Sequence, residues 1–410
     1  MPDVSLTNLM VVCAVAALAP LLLGFLPRLR LPAVVLEIVL GMVLGPSILG
    51  WIRIDLPVQI LSLIGLAFLL FLSGLEIEPS RLRGTTLRLA VVGYVVSLVA
   101  GAPIALGLGS VGWVTSPLLV LIALSATSLG LVVPVLKDAG QVDTPVGQQT
   151  VVAATTADLA AILLLSVFFS TGDSTSGSRV VLLASFGALV ASTGFVIAKA
   201  NRSMRVGDVV QQLQDTTAEI RVRFAVVLLV AFTALAEAFG LESILGAFLA
   251  GVVVTVLDKD ADSHPHFRTK LEAIGFGFVI PIFFISSGAL IDVQALIDSP
   301  SALVRVPLFL AALLVIRGTP ALLHRRQLGN RSTAAMALLQ ATSLPFIVAV
   351  AQIGTELGLI HAVTGAAMIV AGVISVLVFP AVSLWLLTSG SAGEEQGTAG
   401  APTTSRSPGS

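Results

Sequence analysis

Apolar runs of about twenty residues, separated by short polar turns, recur along almost the whole chain. A hydrocarbon layer of about 30 Å needs roughly 20 helical residues to cross it, so each run reads as a membrane span. The pattern predicts thirteen spans, near 5–26, 32–51, 57–75, 87–109, 115–136, 147–170, 179–199, 222–240, 242–257, 271–291, 302–323, 332–353 and 358–387. Gly45-Pro46, and Gly172 before Asp173, fall where turns are required. The expected fold class is an all-α polytopic membrane protein. The first run, Leu6 to Leu26, follows Asp3 instead of a basic segment and has no small-residue cleavage site, so it reads as a retained span.

Lys and Arg stay on the cytoplasmic side of a membrane, which makes their distribution a test of the span count. With the N-terminus outside, eighteen of the 22 fall in inner turns or the C-terminal segment: Arg28 and Arg30, Arg81 to Arg88, Lys137, Lys199 to Arg223, Lys259 to Lys270, Arg325 to Arg331, and Arg406. Arg53, Arg179 and Arg305 fall outside, and Arg317 lies within a span. A miscounted helix would scramble this asymmetry. The expected location is therefore the cell (inner) membrane, multi-pass, with the N-terminus outside and the C-terminus cytoplasmic.

Composition narrows the function classes. Hydrophobic residues make up 56% of the chain and charged ones 11%, so the lipid bilayer is the expected surrounding. A formal net charge of −1 leaves no clustered basic face for nucleic acid. The single cysteine, Cys13, excludes an intramolecular disulfide and a Cys-based metal cluster, and the four histidines form no ligand pair at helical spacing. No cofactor is expected. The polar stretch Lys199 to Arg221 reads as a helical interfacial linker, and residues 389–410, rich in Gly, Ser, Thr and Pro, as a disordered cytoplasmic tail with no regulatory domain.

The chain repeats itself. Ala126-Thr127-Ser128-Leu129 in the fifth span recurs as Ala341-Thr342-Ser343-Leu344 in the twelfth, 215 residues on. Phe71-Leu72-Ser73-Gly74 in the third span matches Phe284 through Gly288 in the tenth at offset 214, each followed by an acidic helix end, Glu76 or Asp292. Seven spans separate each pair, and an odd separation reverses the direction of the second copy. This predicts an inverted repeat, about 32–170 and about 222–388 with 171–221 between, inside a transmembrane unit of residues 1–388. In such folds the substrate site lies near the midplane, where interrupted helices leave backbone dipoles free. The candidates are Thr127, Ser128, Gly130 and Pro134 with Thr342, Ser343 and Pro345; taken singly, each Ser or Thr serves equally well as a small residue for close packing.

Asp158 is the outstanding charge. It lies about ten residues into the sixth span, near the midplane at about 1.5 Å per residue, where an unpaired charge costs at least roughly 3 kcal/mol. A functional carboxylate explains that cost; a protonated packing residue is the alternative. Thr155, at i−3, shares its face and offers a second oxygen. Arg317, the basic residue inside a span, is expected either to neutralise Asp158 across the bundle or to snorkel toward the inner interface near Arg325. Glu37 reads either as part of a cytoplasmic funnel or as an interfacial residue. Glu76 and Glu78 adjoin Arg81 and Arg83, which predicts surface ion pairs, and Glu237 and Glu242 border an outer turn.

Four segments carry a resemblance to the monovalent cation:proton antiporter family, in particular its Kef-like and NapA-like branch: Leu31-Pro32 through Leu49-Gly50, Phe68 through Glu76, Ala236-Glu237 through Gly251, and Pro281 through Gly288. The similarity runs in order from residue 5 to about 388. It implies a thirteen-helix, homodimeric fold with a dimerisation bundle and a six-helix core, in which the fifth and twelfth spans are the crossed, discontinuous helices. By the same resemblance, Asp158 matches the family's proton and cation carboxylate and Arg317 its basic residue before the second crossing. The chain departs from the family at Ala157, where an Asp, Asn or Gln is usual, and at Ser343-Leu344-Pro345, where Kef-like members carry Gly-Glu. The missing second acid implies electroneutral, one-for-one exchange.

The expected function is a secondary active antiporter that exchanges Na+ or K+ for H+ by alternating access, with Asp158 holding either a proton or a dehydrated cation. The alternative is a sodium-coupled symporter of an organic anion on the same fold. A gated channel would need a continuous polar pore, and an enzyme would need a nucleophile, base and orienter at one membrane depth, which these residues do not supply.

Overall fold

The computed structural model describes residues 6–25, 32–77, 84–169, 176–201, 219–257, 265–298 and 300–398. Most of the predicted linker, and Glu78, Arg81 and Arg83, lie outside the described residues. The helices are α1 (Thr7–Phe25), α2 (Ala33–Leu44), α3 (Leu56–Leu75), α4 (Gly84–Ser110), α5 (Pro117–Ser125), α6 (Leu129–Asp138), α7 (Pro145–Phe169), α8 (Ser176–Asn201), α9 (Ile220–Ala238), α10 (Ser243–Leu257), α11 (Pro265–Ile274), α12 (Ile280–Ala289), the short α13 (Val293–Asp298), α14 (Pro300–Gly318), α15 (Arg325–Gln340), α16 (Pro345–Glu356) and α17 (Ala362–Thr398). Three spans are composite: α5 with α6, α11 with α12 through a π turn at Gly275–Val279, and α15 with α16. Counted this way, the described residues form thirteen spans, as the hydropathy pattern predicts.

Several boundaries differ from prediction by a few residues, and the twelfth span begins at Arg325, seven residues early. The second span stops at Leu44 instead of running to 51, because Gly45 turns extended and the chain folds back, its N–H donating to Gly41 O. α17 continues to Thr398, ten residues past the expected end of the transmembrane unit.

Two bundles form. In one, α2 and α3 pack on α12, α3 also packs on α10, and α9 on α10. In the other, α4, α7, α14 and α17 pack around the two crossed spans, α5–α6 and α15–α16. The first bundle is drawn tight by glycine. A Cβ on Gly74 would sit 2.2 Å from Phe248 O, and one on Gly251 would sit 2.0 Å from Phe71 O. The pair α2 and α12 repeats the arrangement, with Gly41 against Ile285 O at 2.1 Å and Gly288 against Ile38 O at 2.1 Å. Gly74 and Gly288 are themselves related by the 214-residue offset, so the inverted repeat seen in the sequence is also a repeat of packing. Outward faces carry large apolar side chains such as Leu21, Phe25, Val99, Phe195, Val227 and Trp385. With no water to satisfy it, backbone in lipid must be helical, and these faces suit that solvent.

Candidate functional site

Both interruptions fall where the repeat places them. α5 ends at Ser125, and Ala126 and Ser128 are extended (ψ 158° and 90°) before α6 begins. α15 ends at Gln340, and α16 starts with Pro345 at its first turn. Proline disfavours helical geometry in its predecessor, and Leu344 lies outside both helical and extended geometry, at φ −144°, ψ −59°. No proline explains the first break. There, the second broken span supplies the backbone partners that a helix would have supplied: Ser128 N donates to Thr342 O at 3.0 Å, Leu344 N to Ser128 Oγ at 3.0 Å, and Thr127 Oγ1 to Gln340 O at 2.7 Å. The two links are therefore one crossed unit, each holding the other open.

Asp158, on α7, closes this unit. Its Oδ1 accepts from Thr127 N at 3.0 Å and its Oδ2 from Leu129 N at 3.3 Å. Those N–H groups belong to the start of α6, where unpaired donors and the helix dipole both favour an anion. Arg317 arrives from α14 and is 1% exposed, so it does not snorkel. Nor does it pair directly with Asp158. Its Nε donates to Thr127 Oγ1 at 2.8 Å and its Nη1 to Ser97 Oγ, on α4, at 3.1 Å. Acid and base are thus joined through one threonine, which gives its N–H to the acid and its hydroxyl oxygen to the base. The expected direct pair is not formed: Nε and Nη1 serve the two hydroxyls, and Nη2 has no hydrogen-bond partner among the described residues.

A cavity of about 40 Å³ opens beside the crossing, lined by Thr127, Ser128, Gly130 and Asp158 and, from the other bundle, Ser73 and Glu76. One water needs about 10–15 Å³ of such volume, so there is room for a dehydrated cation with one or two waters. The other expected site residues stand apart. Thr155 donates to Val151 O at 2.8 Å within its own helix. Ser343 is engaged through its backbone, its N–H donating to Ser375 Oγ at 3.3 Å, while its own hydroxyl is buried without a partner. Glu37 is buried on α2 and does not line the cavity. Ser97 and Ser375 were not legible as site residues, being single hydroxyls in otherwise apolar spans.

The family model described as "Sodium/hydrogen exchanger, transmembrane" matches residues 13–388. The chain belongs to the sodium/hydrogen exchanger family. Among its relatives, YjbQ of Bacillus subtilis, which carries a provisional name as a Na+/H+ antiporter, is 33% identical over 395 residues, covering 93% of the chain and 63% of YjbQ. The chain thus spans less than two thirds of that relative's length. A probable Na+/H+ antiporter of Methanocaldococcus jannaschii is 28% identical over 347 residues, covering 82% of the chain and 86% of the relative. In fold, the chain is similar to the sodium proton antiporter MjNhaP1 of Methanocaldococcus jannaschii, with a TM-score of 0.67 at 16% identity over 94% of this chain and 97% of that one. It is a multi-pass membrane protein of the inverted-repeat antiporter fold.

Proposed function

We propose that this exchanger moves Na+ or K+ against H+ by alternating access, one cation for one proton, with Asp158 as the carboxylate for which the two ions compete. One observation carries the reading: Asp158 is held by the N–H groups of Thr127 and Leu129 at the crossing of two broken helices, and it lines the adjoining cavity. When neither ion is bound, those two N–H bonds and the nearby guanidinium of Arg317 compensate the anion. A proton or a cation arriving from the cavity neutralises it instead. Because both occupy one carboxylate, only one is carried at a time, and competition is the coupling. Ala157 offers no second acid at the crossing, which supports electroneutral exchange.

In this reading the bundle of α4–α7 and α14–α17 moves against that of α2, α3, α10 and α12, carrying Asp158 between the two faces. The Lys and Arg distribution supports a cytoplasmic position for the Glu76 side of the cavity and an inner-membrane location. The homodimer rests on the family resemblance. A symporter of an organic anion finds no support in the family.

Purified protein in liposomes, loaded with a pH-sensitive dye and given sodium or potassium salts in turn, tests the assignment. Wild type should collapse an imposed pH gradient on addition of at least one cation, and Asp158→Asn should not. Cation-driven proton flux retained in Asp158→Asn would end it.

A further inference from the structure

The two crossings are related by the repeat, yet their hydrogen bonds are not. Ser128 and Ser343 correspond at the offset of 215, as do Leu129 and Leu344. At one crossing Ser128 Oγ accepts from Leu344 N at 3.0 Å. The counterpart of that bond would run from Leu129 N to Ser343 Oγ. It is not made: Leu129 N donates to Asp158 Oδ2 at 3.3 Å, and Ser343 Oγ is buried without a hydrogen-bond partner among the described residues. The neighbouring bond is displaced in the same way. Ser128 N donates to Thr342 O at 3.0 Å, whereas Ser343 N donates not to Thr127 O, the corresponding acceptor, but to Ser375 Oγ on α17 at 3.3 Å. The offset carries Asp158 to Val373, two residues before Ser375, so the second repeat has a neutral hydroxyl near the place of the acid. Asp158 thus draws off an N–H that the symmetry of the crossing assigns to Ser343.

A buried hydroxyl without a partner is costly, as is a buried N–H. While Asp158 holds Leu129 N, Ser343 bears that cost; if the N–H changes acceptor, it does not. The bond at Oδ2 is also the longer of the two that hold Asp158, 3.3 Å against 3.0 Å at Oδ1. It is the one released more readily once an ion neutralises the carboxylate and weakens its hold on a donor.

We propose that Ser343 is a positioning residue for ion binding, its hydroxyl taking over the Leu129 N–H when a proton or cation occupies Asp158. The assignment rests on the antiporter reading. The change of acceptor completes the symmetric bonding of the crossing in the loaded carrier and leaves it incomplete in the empty one. Ser343 touches neither ion. It favours the loaded state by the same factor for proton and cation, because each acts by neutralising the same carboxylate.

The test measures cation KM against pH for Ser343→Ala in proteoliposomes by dye response. In competition at one carboxylate, the acid limb depends on the ratio of the two affinities and the alkaline plateau on cation affinity alone. Without its second acceptor, Leu129 N is stranded in the loaded state, which weakens both affinities together by about tenfold. Ser343→Ala should therefore raise the alkaline plateau about tenfold and move the bend of the curve about one pH unit lower, while its acid limb overlies that of wild type. Ser343→Cys, which fills nearly the same space with a weak acceptor, should show the same shift and decides if the alanine variant does not reach the membrane. An unchanged curve, a rise in KM at every pH, or a fall in maximal rate alone would overturn the role of Ser343. Asp158→Asn decides the antiporter reading separately: a wild-type response that it abolishes leaves that reading standing whatever Ser343→Ala does.

Discussion

The Gln352 amide on α16 donates to the Ser287 hydroxyl on α12 at 3.0 Å, joining the two bundles on the membrane face opposite Glu76. The inverted repeat makes this contact informative, because offsets of 214 and 215 relate Ser287 to Ser73 and Gln352 to Lys137. One member of that related pair, Ser73, lines the open cavity. The molecule is therefore closed at one copy of the motif and open at the other, as alternating access requires of a single state. In a Cys13→Ser background, Ser287→Cys with Gln352→Cys should form a disulfide that stops exchange, and reductant should restore it. Exchange continuing at full rate with the cross-link formed would mean that this face never opens.

Thr127 carries the only hydrogen-bonded route between Asp158 and Arg317 among the described residues. Thr127→Val keeps the N–H that serves Asp158 but removes the oxygen that Arg317 and Gln340 share. Leaving such buried groups unsatisfied costs about 1–3 kcal/mol, and each 1.4 kcal/mol or so is tenfold in rate if it falls on the moving state. The expected result is a tenfold or greater loss of exchange, with Thr127→Ser near wild type. Initial rates of dye response at saturating cation measure it.

Much of this was legible in the sequence because lipid imposes strict rules. Helix count, inverted repeat and both crossing points follow from run lengths and two agreeing offsets. What was not legible depends on side-chain direction. Arg317 and Asp158 lie on different spans, and nothing in spacing says that a threonine would stand between them. Glu76 sits at a helix end beside basic residues, which reads as surface; only the inward turn of its side chain brings it into the cavity. Thr155 shares a helix with Asp158, yet its hydroxyl is used up by Val151 O.

Arg317 is a structural as well as an electrostatic element. Its Nε and Nη1 serve hydroxyls on two different spans, at Thr127 and Ser97. Arg317→Ala leaves both without their donor and should lower the melting temperature of the detergent-solubilised protein as well as abolish exchange. Arg317→Lys, a point charge on a flexible stem, cannot reproduce the fork and should recover stability only in part. A melting temperature unchanged in Arg317→Ala would show that the crossing does not depend on it.

Competition at one carboxylate fixes the form of the pH dependence. Below the pH at which protons and cation bind equally, each unit of acidification multiplies proton occupancy tenfold, so the apparent cation KM should rise tenfold per pH unit. Maximal rate at saturating cation should fall far less. At alkaline pH the KM should level off, because no proton remains to be displaced. Plotted as log KM against pH, wild type should show a slope near −1 in the acid limb. A slope near zero would mean that proton and cation occupy separate sites, which would leave Asp158 unable to couple them.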